Sequence, residues 1–235
     1  MNEIFSRTKA LLGEDAMKKL KNSRVALFGL GGVGSAAFEA LLRSGVGKID
    51  VFDYDKVSKT NLNRQLLATL DTVGMDKTEA AVLKGKIVCP ETEIIVHNMF
   101  YLPENSGEID MSEFDCVIDA VDTVTAKLEI VQNCSKTGTP LISSMGTGNK
   151  TDITRLAVSD ISKTKDCPLA RVMRKELKKR GIENLRVVFS DEKPFSKDST
   201  GDLKGNRPAP ASAIFVPCAA GLILAQEAVK IIIEK

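Results

Sequence analysis

Three things are scarce in this 235-residue chain: histidine, closely spaced cysteine, and excess charge of either sign. His97 is the only histidine. It ends a short strand-like run far from every motif, so a structural or surface role is expected for it, and a lone imidazole with no clustered partner makes no metal site. The five cysteines (Cys89, Cys116, Cys134, Cys167 and Cys218) are odd in number, and no two have C-x-x-C spacing. A secreted disulfide framework and a structural zinc site are both excluded on that pattern. Thirty-three basic residues stand against 31 acidic ones, a net charge of +2, so no whole-molecule field marks a nucleic-acid binder and any such surface must be local. The first residues, M-N-E-I-F-S-R-T-K, carry no apolar h-region. A reducing cytoplasm is the expected compartment. No internal repeat and no G-x-x-x-x-G-K-[ST] phosphate loop occur.

What is present is the makings of a sizeable core, with 43% hydrophobic and 27% charged residues. That content excludes disorder and low-complexity chains. Asn2 to Asn22 reads as one amphipathic helix. Val25 opens an apolar run ending in glycines, the mark of a strand buried on both faces. A helix is expected over Gly34–Arg43, a strand from Ile49, helices near Leu62–Leu70 and Lys77–Val88, and a strand over Ile94–His97. Another strand runs Asp115–Ala120, followed by a helix over Thr123–Lys136 and a strand from Leu141. This alternation predicts an α/β fold, a doubly wound Rossmann-like sheet, mostly parallel.

Beyond Met145 the pattern changes to a mixed β/α extension. Strands are expected at Thr154–Val158, Leu185–Phe189 and Ala213–Val216, with a helix opened by proline at Pro168–Arg180. The stretch Ser190–Pro210 reads as a long loop, either a lid that orders on binding or a plain insertion. The single domain thus divides into a nucleotide-binding core, 29–145, and a substrate-side extension, 146–235. Ile214 to Ile233 is mostly apolar, but Gln226, Glu227 and Lys230 interrupt it, so a buried or subunit-interface helix is expected rather than a membrane span.

Gly29-Leu30-Gly31-Gly32-Val33-Gly34 fits G-x-G-x-x-G between an expected strand and an expected helix. Glycine lets phosphate approach the backbone, and the helix N-terminus offers unpaired amides and a positive dipole end. Asp53 stands about 20 residues on, where an acid holds ribose hydroxyls. The loop alone would suit NAD. Asp55, Asn61, Arg64, Gln65 and Lys77 follow, and Arg64 and Lys77 are cations that a reacting triphosphate needs and a dehydrogenase pyrophosphate does not. Asp119, Asp122 and Thr123 fall at the carboxyl end of a parallel strand, the ligand-binding edge, where a carboxylate holds Mg²⁺. The constellation points to ATP with magnesium. An NAD-dependent oxidoreductase leaves those cations and Asp122 without a role.

G-L-G-G-V-G, D-Y-D-x-V-x-x-x-N-L-N-R-Q, Lys77 and D-A-V-D-T together resemble the ubiquitin-activating-enzyme-like (ThiF/MoeB-type) superfamily, whose bacterial members activate carboxylates as acyl-adenylates. The resemblance implies Asp53 on the ribose, Asn61 near the phosphates and metal, Arg64 and Lys77 on phosphates, and Asp122 on Mg²⁺. Asp55, Gln65 and Thr123 complete the implied nucleotide set with Gly29, Gly31, Gly32 and Gly34. Early F-S-R-T-K-x-L-L-G resembles the segment in which Arg7 reaches across a homodimer into the partner's site. S-S-M-G-T-G-N-K-x-D, C-P-L-A-R-V-M-R-K-E-L-K-K-R-G-I and F-V-P-x-x-A-G-L-I-x-A-x-E resemble the tRNA threonylcarbamoyladenosine dehydratase branch. That branch implies ATP-driven cyclisation of the threonylcarbamoyl group beside the tRNA anticodon; a separate reading is a non-catalytic nucleotide-binding partner of a sulfur-transfer protein. The other branch adenylates the C-terminal glycine of a ubiquitin-like sulfur carrier, and its common C-x-x-C zinc pairs are missing here.

Four features stay open on sequence. Cys167, before Pro168, is either an acyl trap or a helix-entry residue, and intramolecular attack favours the second. Arg171, Arg174, Lys175, Lys178, Lys179 and Arg180 lie on an amphipathic helix whose apolar set is Leu169, Val172, Met173 and Leu177. From Arg171 to Arg186 seven basic residues face two acidic ones, which is either a solvated face or a seat for tRNA phosphates. Lys150 and Arg155 are candidates for the same role. Gly146, Thr147 and Gly148 either close over the substrate or form an ordinary turn.

Overall fold

A computed structural model describes residues 3–195, 203–204, 207–208 and 210–235. Seven strands form one sheet: β1 (Arg24–Phe28), β2 (Lys48–Phe52), β3 (Glu93–His97), β4 (Cys116–Asp119), β5 (Leu141–Ser144), β6 (Leu156–Asp160) and β7 (Arg186–Ser190), in the order β3-β2-β1-β4-β5-β7-β6. All neighbours run parallel except β6 against β7. The fold is α/β and Rossmann-like, and the sheet continues without a break from the nucleotide-type half into the C-terminal extension through the β5–β7 pairing.

The helices are α1 (Ser6–Leu12), α2 (Glu14–Asn22), α3 (Gly32–Ser44), α4 (Lys77–Val88), α5 (Val124–Thr137), α6 (Pro168–Lys179) and α7 (Phe215–Glu234). A chain that leaves β1 toward β2 and later returns beside β1 as β4 opens a crevice where the order reverses, at the carboxyl ends of those two strands. Gly29 continues β1 there, its amide donating to the Phe52 carbonyl at 2.7 Å, and Ala120 continues β4, its amide donating to the Phe28 carbonyl at 2.8 Å.

Helix α7 lies against α3 at a close crossing: a Cβ on Gly221 would come within 2.2 Å of the Val33 carbonyl oxygen. Among the described residues α7 alone is long and apolar enough to span a membrane, yet its Ala220, Leu224, Ala225 and Ala228 are sealed in the core. Its buried Glu227 pairs with Arg186 and, at 2.8 Å, with Lys230. The charges that interrupt the apolar run therefore have partners inside the protein.

Local structure departs from the sequence reading at four places. The N-terminal segment is two α-helices, because Gly13 between them takes φ +88° with an extended ψ, a conformation open to glycine that ends one helix and starts the next. The stretch Leu62–Leu70 is a chain of turns: a capping box on Ser58 and Asn61 precedes it, another on Thr69 and Thr72 follows, and the Leu66 amide donates to Ser35 Oγ at 2.9 Å instead of up a helix. Ala213–Val216 is no strand; Phe215 starts α7, and four apolar residues are too few to tell the two apart. Ser190 belongs to β7, and the expected loop after it contains a two-residue hairpin, β8 (Leu203–Lys204) with β9 (Arg207–Pro208); 196–202, 205–206 and 209 lie outside the described residues.

Candidate nucleotide and acyl-activation site

The glycine loop is shaped by two close approaches and one opening. Gly29 sits at φ +89°, where a Cβ would stand 2.9 Å from the Ala120 carbonyl oxygen. A Cβ on Gly34 would overlap the Gly29 carbonyl at 1.7 Å, so the first turn of α3 lies on the loop itself. At Gly31 a Cβ would meet nothing within 4 Å. Backbone is bare to the crevice there, at the N-cap of α3, which is the arrangement an anion requires.

Asp53 is buried at the end of β2, with Oδ2 accepting the Leu30 amide at 2.7 Å and Oδ1 the Asp55 amide at 2.9 Å. Lys77 opens α4, buried, with Nζ 2.8 Å from Asp55 Oδ2 and 3.6 Å from Asp53 Oδ1. Arg64 reaches the same mouth: its Cγ would lie 3.4 Å from a Cβ on Gly32, and its guanidinium donates to the Thr60 carbonyl at 2.9 Å and to Asn63 Oδ1 at 2.8 Å. Asn61 spends Oδ1 on the Ser58 amide at 3.0 Å, which fixes the turn carrying Arg64, and Gln65 is buried behind it. Asp122 is exposed just past β4, and Thr123 is the N-cap of α5. The Tyr54 hydroxyl is raised by partial burial and by the charges of Asp55, Asp122 and Asp53.

This donor set fits Mg²⁺ with ATP. Among the described residues no three His, Cys, Asp or Glu side chains form a ready cage. Magnesium keeps its waters and takes one or two carboxylates plus substrate phosphates, so exposed Asp122 beside an anion loop suits it.

Beneath this mouth Asp119, expected with Asp122 at the metal-holding edge, turns instead into the core to meet Lys127, a residue the local pattern does not single out. Lys127, Asp119 and Ser143 are fully buried, and Ser144 nearly so. Lys127 Nζ reaches Asp119 Oδ2 at 2.9 Å, Ser143 Oγ at 3.2 Å and the Ser144 carbonyl at 2.7 Å. A lysine inside a helix reads as surface, and no spacing rule announces a buried one.

Several expected residues stand elsewhere. Arg7 is exposed on α1; neighbouring Phe5 packs on Gly45, at the far end of α3 from the glycine loop, about 20 Å away at 1.5 Å per helical residue. Lys150 is buried and donates to the Ser190 carbonyl at 2.7 Å, so it is not the open phosphate contact expected of it, whereas Arg155 is exposed and pairs with Asp191 at 2.8 Å. On α6, Arg174 turns inward to the Thr164 carbonyl at 2.9 Å, and Lys179 and Arg180 bind Glu176. Arg171, Lys175 and Lys178 are exposed, one or two turns apart on one side of the helix. The buried face is Ala170, Met173 and Leu177; Val172, expected there, is 44% exposed.

Cys167 is buried at the N-cap of α6. All five thiols are free, and burial pushes those of Cys116 and Cys134 up to about 12, which keeps them protonated and inert. His97 stacks on Phe52 with ring centroids 4.1 Å apart and contacts Asp50 Oδ1 at 2.8 Å, a structural part inside the sheet.

The ThiF family model matches residues 5–235. The chain belongs to the ThiF family. Within this family it is 45% identical over 231 residues to the tRNA threonylcarbamoyladenosine dehydratase of Bacillus subtilis (strain 168), covering 94% of this chain and 91% of that one. Its fold is similar to that of the Escherichia coli tRNA N6-threonylcarbamoyladenosine dehydratase TcdA solved with ATP, with TM-score 0.89 and 31% identity over 99% of this chain and 94% of the other. The AMP complex of the same E. coli enzyme gives TM-score 0.90.

Proposed function

We propose that this ThiF-family chain is an ATP-dependent tRNA threonylcarbamoyladenosine dehydratase acting in the cytoplasm as a homodimer. The observation that carries this reading is an open glycine loop beside Asp53, Lys77, Arg64 and Asp122, on a fold solved in a similar dehydratase with ATP.

The chemistry starts from a poor electrophile. A free carboxylate loses its oxygen badly. Its oxygen attacks the α-phosphorus of ATP, the bond to the β-phosphate oxygen breaks, and pyrophosphate leaves. A second atom of the same carbamoyl side chain then attacks the acyl carbon and AMP departs, so that water is lost overall. Both partners of the second step sit in one bound molecule, and positioning supplies much of the rate.

Asp53 takes the ribose hydroxyls, and Gly29, Gly31, Gly32 and Gly34 bring bare backbone to the phosphates. Lys77 and Arg64 neutralise the charge that gathers on the phosphates as the bond breaks. Asn61 and Gln65 hold the Arg64 turn, while Asp55 holds Lys77. Asp122, beside Thr123, would hold Mg²⁺, which would screen the triphosphate's charge. Arg7 serves the partner subunit's site, since its own lies a helix length away. Arg171, Lys175 and Lys178 form the ridge that receives tRNA phosphates: α6 begins where Leu169 Cβ lies within 3.7 Å of a Cβ built on Gly146, beside the loop 146–148. The core 29–145 binds nucleotide and the extension 146–235 binds RNA within one domain.

Incubation with ATP, Mg²⁺ and tRNA carrying threonylcarbamoyladenosine tests this. Digested nucleosides should be lighter by one water at that base, with AMP formed in step. AMP formation that depends on a Gly-Gly-ended carrier protein and not on tRNA would overturn the reading in favour of sulfur-carrier activation.

A further inference from the structure

The ammonium of Lys127 has three protons and three acceptors: Asp119 Oδ2, Ser143 Oγ and the Ser144 carbonyl. Ser143 in turn donates to Asp119 Oδ2 at 2.5 Å, and Asp119 Oδ1 accepts the Val121 amide at 3.2 Å. Every member is satisfied, and Lys127 and Asp119 are closed to solvent. Removing either charge alone would strand the other in a dry interior.

The placement of this network is what gives it meaning. Asp119 is the last residue of β4, Ser143 and Ser144 end β5, and Lys127 lies in the first turn of α5. The parallel register sets Asp119 directly beside Ser143. Each strand end runs straight into a loop of the site: 120–123 carries Asp122 and Thr123, and 145–148 carries the Gly146-Thr147-Gly148 turn. The Val121 amide, one residue before Asp122, is itself held by Asp119. A fold needing only a filled core at this point would be served by apolar side chains, which often match a buried ion pair in stability.

We infer that Lys127, through Asp119, Ser143 and Ser144, is a positioning residue that locks the metal-acid loop 120–123 to the acyl-side loop 145–148. The inference rests on the dehydratase reading for its consequence on rate, and on the geometry alone for its consequence on loop order. The glycine loop and Asp53 hang from β1 and β2, so the metal-free nucleotide should keep its contacts while the Asp122 loop and the alignment of the reacting groups are lost.

The test compares Lys127→Met with the double variant Lys127→Met/Asp119→Leu. The single variant leaves a buried carboxylate and should melt early. The double variant removes both charges and should regain a melting temperature close to that of the parent. If the network positions the loops, the double variant still loses kcat by on the order of 100-fold, the scale of a reacting group displaced by about 1 Å, with Kd for ATP in the absence of Mg²⁺ within roughly threefold. Amide hydrogen exchange should quicken in 120–123 and 145–148 and not in 29–34. A double variant as stable as the parent, with turnover within roughly threefold of it and unchanged exchange in both loops, overturns the inference. Should the parent make no AMP with tRNA, the dehydratase reading fails, and the exchange measurement still decides the network's role.

Discussion

The carboxylate of Asp53 accepts the amide proton of Leu30 at 2.7 Å across 23 residues of sequence. The acid assigned to ribose is thereby held by the loop assigned to phosphate, so the two halves of the nucleotide site are set by one contact. Asp53→Ala strands the Leu30 and Asp55 amides and releases one of the charges beside Lys77. A loss of about 2 kcal/mol of stability is expected, the scale of a buried donor left unmade. ATP affinity should fall at least tenfold, about 1.4 kcal/mol or more. Calorimetric titration with ATP and a thermal melt read both quantities.

Arg7 and Arg64 belong to one site only if two chains meet. An Arg7→Ala homodimer and an Arg64→Ala homodimer should each be nearly inactive. Mixed and re-equilibrated, they form heterodimers with one intact site, and about a quarter of parental activity should return at equal mixing, half the dimers being mixed with one good site each. The AMP release rate of the mixture measures this, and no recovery would place Arg7 outside the partner's site.

Much of this was legible in the sequence. G-x-G-x-x-G between strand and helix, the acid at Asp53 and the helix starting at Lys77 all stand where their local patterns put them, because each depends on neighbours in the chain. What the pattern missed depends on distant contacts. Leu62–Leu70 carries enough leucine for a helix, but Ser35 and the two capping boxes claim its backbone. Lys127 looks like a surface lysine of α5 until β5 arrives with Ser143 and Ser144. The six cations from Arg171 to Arg180 look equivalent in sequence, and only the fold separates Arg174, turned into Thr164, from Lys175 in solvent.

That separation makes a prediction about RNA. Replacing Arg171, Lys175 and Lys178 together by alanine should raise the Kd for tRNA roughly tenfold or more at moderate salt. It should also flatten the dependence of log Kd on log salt by two to three phosphate contacts' worth, at about 0.7–0.9 per contact. ATP affinity should not move. The same exchange at Lys179 and Arg180, which pair with Glu176, should do far less. Filter binding across a salt series distinguishes the two variants.

The fold should also respond to acid through Asp50. Burial alone would raise this carboxyl, but hydrogen bonds from His97 and Arg24 hold it below its ordinary value of 3.8. A depressed carboxylate contributes stability that is present above the unfolded-state value and is lost as pH falls through the folded one. Stability should hold down to about pH 4 and drop below it. Asp50→Asn should cost about 1–3 kcal/mol near neutrality, with Arg24 left to Glu113 alone, and should make the acid limb shallower. Urea melts at intervals from neutral to acid pH give the slope, and an unchanged slope in the variant would remove Asp50 from the account.

In the activation step proposed above, the substrate's acid joins the α-phosphate of ATP. Heavy oxygen placed in the carboxylate of the threonylcarbamoyl group tests it most directly, since the departing oxygen carries the label with it. One labelled oxygen should enter AMP for each nucleoside dehydrated, and none should enter inorganic phosphate. Label appearing in inorganic phosphate, with ADP as the other product, would contradict it.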